Sequence, residues 1–140
     1  MHKIYSKTNN NKLLHIVNWL QSSENERHDI APDDQFLQVA TIASDKGKSY
    51  RAHKHIWKTP AYPQTIAQES WIVVRGSVKV YFYDTDDTLL EAHVIKQGDC
   101  SVTFEGGHSY EILEDNTLVY EYKTGPYYGQ TLDKVFLDKS

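Results

Sequence analysis

Cysteine is almost missing from this chain. Cys100 stands alone, so no disulfide can form within it. Long apolar runs are missing as well. The longest is Trp71-Ile72-Val73-Val74, far short of the roughly 20 residues a membrane-spanning helix needs. The opening stretch MHKIYSKTNNNK has no apolar core of the kind a secretory signal carries. The expected location is therefore the cytoplasm, with no membrane contact. There is no excess of positive charge either: 15 Lys and Arg stand against 19 Asp and Glu, a net charge of -4. Binding to nucleic acid needs a basic stripe, so that class of partner is not expected. No internal repeat, low-complexity tract or long linker divides the sequence.

What is present is a chain of 140 residues with 39% hydrophobic and 24% charged residues. This suits one globular domain with a core that needs no covalent staple. Near the start, Leu13, Ile16, Val17 and Leu20 follow helical spacing, with Thr8 or Asn9 to Asn11 as caps. The stretch QSSENERHDIAPDD reads as loop. From Gln35 the period changes to two. Strands are expected at 35–42, 49–56, 70–74, 77–84, 89–96, 100–105, 110–114 and 117–123, separated by Gly-, Asp- and Asn-rich turns. Short strands at such even spacing point to an antiparallel sandwich or barrel. The insert TPAYPQTIAQ carries Pro60 and Pro63 and reads as a loop.

The chemistry-bearing stretch is GKSYRAHKHIWK, residues 47–58. On a strand, residues i and i+2 share a face, so Arg51, His53 and His55 project together. Two imidazoles placed this way can share a metal ion. With 7 histidines in the chain, a chance H-x-H is expected about 0.35 times, so the pair gains meaning only from its flanks. Those flanks are Gly47, Glu69 followed by Gly76, and GDCSVTFEGGH running from Gly98 to His108. In order and strand context they resemble the two motifs of the cupin superfamily across residues 35–123. The stretches HKHIWK, QESWIVVRGSV, GDCSVTFEGGH and YEYKTGPY are more narrowly similar to small single-domain cupins of bacterial surface-polysaccharide and sugar-nucleotide pathways.

The resemblance implies an all-β cupin fold, a double-stranded β-helix or jelly-roll barrel. With the helix above, the layout becomes an N-terminal helix and loop (1–34), a barrel (35–123) and a C-terminal tail (124–140). It also implies one divalent metal (Fe, Mn, Ni or Zn) held by His53, His55, Glu69 and His108. Gln68 would replace Glu69 only on a one-residue register slip, which turns it to the other face. Four departures stand out. His55 and Glu69 are separated by a long insert, Phe104 occupies the usual proline position, His108 comes one residue early, and Ile112 replaces an asparagine. A longer surface loop costs little free energy.

The activity this implies is action on a small polar substrate, a sugar or sugar nucleotide, of isomerase or epimerase type. An iron(II)-dependent dioxygenase and a non-catalytic binding or regulatory module are the alternatives. Candidate catalytic residues are Arg51 as an anion clamp, Tyr110 on the cavity wall, and Glu121 with Lys123 as an acid–base pair on the last strand. Tyr81 and Tyr83 are further wall candidates. Cys100 is expected to be structural, and His2, His15, His28 and His93 to be ordinary surface or partly buried residues. Asp84 to Asp87 read as a hairpin turn, since the glycine and terminal glutamate of a calcium loop are missing. Trp57 and TPAYPQT are placed to form a lid. The exposed sheet edge common in cupins suits a homodimer.

Overall fold

A computed structural model describes residues 1–20, 27–57 and 64–137. The chain is mostly β, and every strand pairing is antiparallel. In order the strands are β1 (His2–Tyr5), β2 (Leu13–Asn18), β3 (Arg27–Asp29), β4 (Ala40–Ile42), β5 (Glu69–Arg75), β6 (Ser77–Tyr83), β7 (Leu89–Lys96), β8 (Cys100–Thr103), β9 (Gly107–Ile112) and β10 (Leu118–Lys123), followed by one helical turn, α1 (Gln130–Asp133). A five-stranded sheet runs β1-β2-β8-β5-β10. A three-stranded sheet runs β7-β6-β9, and β3 pairs with β4 alone.

The two larger sheets share a core. Ile4, Val17 and Val73 of the large sheet pack with Val78, Val80, Phe82 and Ile95 of the small one. The opposite face of the large sheet is covered too. There Ile16, Cys100, Val102 and Phe104 meet Ile30 and Ala31, with Leu37 and Val39 packed alongside. The central strands β2 and β8 are therefore buried on both faces.

From β5 to β10 the chain alternates between sheets: β5 and β6 lie in different ones, as do β7 and β8, β8 and β9, and β9 and β10. The β5–β6 switch is made at Gly76, at φ +83°. A Cβ there would lie 2.9 Å from the Thr117 backbone, so both the left-handed conformation and the close approach call for glycine.

Three expectations are corrected. The N-terminal helix does not form. Its residues make β2, which enters from a tight turn where Asn10 and Asn11 both have positive φ and Lys12 N–H donates to Asn9 O. Two such residues suit the turn that joins twisted strands. Residues 1–20 thus supply two strands of the large sheet rather than a separate helix. The strand at 35–42 shrinks to Ala40–Ile42. The described residues 43–57 form no strand at all, because no neighbouring strand pairs with their backbone groups.

Candidate functional site

Strand register assembles the polar groups. His15 pairs with Thr103, Thr103 with Glu69, and Glu69 with Lys123. Directly opposed residues share a face, so these four form one row across the large sheet. The row two residues on is Val17, Ser101, Trp71 and Glu121. Val17 lies in the core between the sheets, which sets both rows on the inner face. From the facing sheet, β9 contributes His108 and Tyr110, opposite Phe82 and Val80.

The rows meet β9 in two contacts. His108 Nε2 lies 3.2 Å from Glu69 Oε1, with both side chains largely covered. Tyr110 stacks flat on Trp71 at 3.8 Å, and its hydroxyl lies 3.2 Å from Ser101 Oγ. Beside them, Trp71 Nε1–H donates to Glu121 Oε2 at 3.2 Å. Lys123 Nζ donates to Asp133 Oδ2 at 3.2 Å and sits 4.0 Å from the Tyr127 ring.

Burial alone would raise the Glu69 pKa. The hydrogen bond from His108 and the charges of His108, Lys134 and Lys123 outweigh it, so the carboxyl sits below the ordinary glutamate range. An ionised Glu69 can only accept a hydrogen bond. The shared proton therefore belongs to His108 Nε2, and in the uncharged form of the ring the lone pair lies on Nδ1. That Nδ1 is buried and has no hydrogen-bond partner among the described residues.

For Lys123, desolvation lowers the pKa. Asp133, Glu121 and Glu69 more than reverse this, so the ammonium is held charged. Burial pushes the Tyr110 phenol well above its usual value. Asp133 also lines a cavity of about 450 Å³ with Phe36, Ile66, Thr124, Gly125 and Leu132. A volume of this order suits a small ligand.

The expected site residues thus divide. Glu69, His108, Tyr110, Glu121 and Lys123 gather at one edge of the sandwich. Arg51, His53 and His55 lie on exposed chain. There the two histidine rings are 5.3 Å apart, and His53 Nδ1 lies 3.0 Å from the Arg51 carbonyl. Glu69 and His108 are close enough to serve one ion, but His53 and His55 are not brought to them. Among the described residues, the only His, Cys, Asp and Glu group with three ligand atoms mutually within 4.8 Å is His2, Glu91 and His93. The four residues therefore do not fit a metal centre as they stand. Trp57 is fully exposed, and of the lid stretch TPAYPQT (59–65), residues 59–63 lie outside the described residues. Tyr81 points outward to Glu111, while Cys100 is buried and its thiol is pushed up to about 11 by burial and Asp99.

Three participants were not foreseen. Thr103 and Asp133 carried no sequence signal. His15 falls within the helical spacing of Leu13, Ile16 and Val17, and the β-branched Ile16-Val17 beside it is the available hint of a strand. No protein-family model, curated protein or solved structure matches this chain.

Proposed function

We propose that the chain is a cupin-type protein that binds a small polar substrate of the sugar or sugar-nucleotide class. It moves a proton on that substrate with the Glu69–His108 pair. The observation that carries this reading is the 3.2 Å contact between Glu69 and His108, together with the orphaned Nδ1 on the far side of the ring. A carboxylate on one imidazole nitrogen orients the ring, fixes the tautomer and stabilises the imidazolium once the other nitrogen takes a proton. The neutral ring is thus a base for a carbon-bound proton next to a carbonyl.

In that step His108 Nδ1 accepts the proton, and the C–H electron pair becomes an enolate. The charged Lys123, in the row beside Glu69, favours the developing negative oxygen. Return of the proton to the same carbon or its neighbour gives epimerisation or isomerisation. The strand-switching order of β5 to β10 supports the cupin jelly-roll reading of the fold. Because Nδ1 is shut off from solvent, substrate entry requires a local opening of the site, which the C-terminal segment flanks. That segment places Leu137 against Gly107 and Asp133 on Lys123. No step needs a metal.

The test is solvent exchange. The protein is incubated in D₂O with a panel of nucleotide-linked keto-hexoses, and deuterium uptake beside the carbonyl is read by mass spectrometry. Wild type should catalyse uptake on at least one, and His108→Asn should slow it at least about 100-fold, the lower end for loss of a general base. Absence of uptake across the panel, or uptake that His108→Asn leaves intact, would refute the proposal.

A further inference from the structure

The opposite edge of the sandwich carries a second convergence of polar side chains. β1 and β7 are the edge strands of the two facing sheets. β1 presents His2 there, and β7 presents Glu91 and His93, which share a face at i, i+2. His2 Nε2 and His93 Nε2 each lie 2.7 Å from the same oxygen, Glu91 Oε2. The three ligand atoms are mutually within 4.8 Å.

We propose that His2, Glu91 and His93 form a binding site for one divalent transition-metal ion, Zn²⁺ or a neighbour in the series, which clips the two sheets together at this edge. The donor set is two neutral imidazoles and one carboxylate, the mixture that suits borderline divalent ions. Donors held about 2.1 Å from one ion lie roughly 3.0–3.4 Å apart. The 2.7 Å contacts need only widen by a few tenths of an ångström, which side-chain rotation supplies. All three side chains are partly exposed, at 40%, 38% and 26% for His2, Glu91 and His93. Water can therefore complete the coordination and the ion can enter from solvent. Neither histidine is anchored in the core by its ring nitrogens: the nitrogens facing the site point at Glu91 and exchange that contact for the ion.

Trp19 supplies a built-in reporter. Its ring lies 5.8 Å from His93, edge-on, and 6.3 Å from His2. A paramagnetic ion in the site would quench Trp19 fluorescence, whereas Trp57 and Trp71 lie elsewhere in the fold.

The test uses the full chain without an affinity tag. Zn²⁺ binding is measured by titration calorimetry, and Cu²⁺ quenching by fluorescence with Trp19→Phe as the control. The comparison set is wild type, Glu91→Gln, His93→Asn and the double variant His53→Ala/His55→Ala. One ion per chain is expected. Affinity should fall at least tenfold in both Glu91→Gln and His93→Asn, the least seen when even an outer-shell partner is removed. It should be unchanged in the double variant, and most of the quenching should vanish in Trp19→Phe. Absence of saturable binding overturns the proposal. So does wild-type affinity in Glu91→Gln or His93→Asn, or loss of the ion in the double variant, which would place it at the other histidine pair.

Discussion

His15 makes folding stability depend on pH in a window that begins above the titration of the carboxyl groups. The side chain is fully buried. Its Nδ1 lies 3.0 Å from Thr103 Oγ1, and its Nε2 lies 3.0 Å from the Tyr83 carbonyl. A carbonyl can only accept, so Nε2 carries the proton and the Thr103 hydroxyl donates to Nδ1. The neutral ring is then satisfied at both ends. Desolvation is the main cause that lowers its pKa, from the ordinary 6.5 to about 4; the Tyr83 hydrogen bond opposes it and the His108 charge assists it.

The sign follows from proton counting. Between pH 6.5 and 4 the unfolded chain binds a proton at His15 that the folded chain refuses. The folded state therefore loses stability as pH falls through this range. With 6.5 and about 4 as the two values, the loss is about 2 kcal/mol at pH 5 and roughly 3 kcal/mol at the low-pH limit. For a domain of this size, 2 kcal/mol corresponds to about 4–8 °C in Tm. The assay is urea unfolding at pH 7.5 and pH 5.0 for wild type and His15→Gln. The variant keeps a donor for Tyr83 but does not titrate. It should be less stable at pH 7.5 and should lose about 2 kcal/mol less than wild type on going to pH 5.0. Equal losses in the two proteins would refute the assignment, because the titrating group would then lie elsewhere.

Two further outcomes follow from buried contacts. Asp84 is fully buried and accepts hydrogen bonds from Ser6 Oγ at 2.5 Å, Lys7 N at 2.7 Å and Thr85 N at 2.7 Å, so it ties the β1–β2 turn to the β6–β7 turn. Asp84→Ala strands these donors and should cost roughly 3 kcal/mol in chemical denaturation; a loss below about 1 kcal/mol would contradict this bonding. Gly76→Ala forces a Cβ to 2.3 Å from Thr117 Oγ1 at a positive φ, and should destabilise by about 1–3 kcal/mol, with Tm by calorimetry as the readout.

Much of the fold was legible because much of it is half-buried sheet. β6 alternates buried and partly exposed residues along its length, and β7 spans the expected 89–96. Such strands announce themselves through a period of two. β2 does not, since it is covered on both faces. Five of its six residues are buried, His15 and Asn18 among them. A strand buried on both sides loses its alternation, and Leu13, Ile16 and Val17 then fell by chance at helical spacing. Residues 49–56 failed in the opposite way. Tyr50, Ala52 and Ile56 alternate with polar Arg51, His53 and His55 as a strand would, yet Ile56 is 81% exposed. Alternation records what a segment could bury, whereas pairing depends on a free neighbouring edge.

The sequence by itself determined the β-rich character, the turn positions from Gly76 onward, and the chemical types present: histidines, carboxylates and few thiols. Only the tertiary structure decided which of them meet. Glu69 and His108 are far apart in sequence and lie on different sheets, and their 3.2 Å contact exists because register fixes one on β5 and sheet packing sets the other above it. His2, Glu91 and His93 had no shared motif at all and converge because two sheet edges coincide. Spacing along a chain fixes the face a side chain takes. The partner it finds there is set by long-range register and by how the sheets stack.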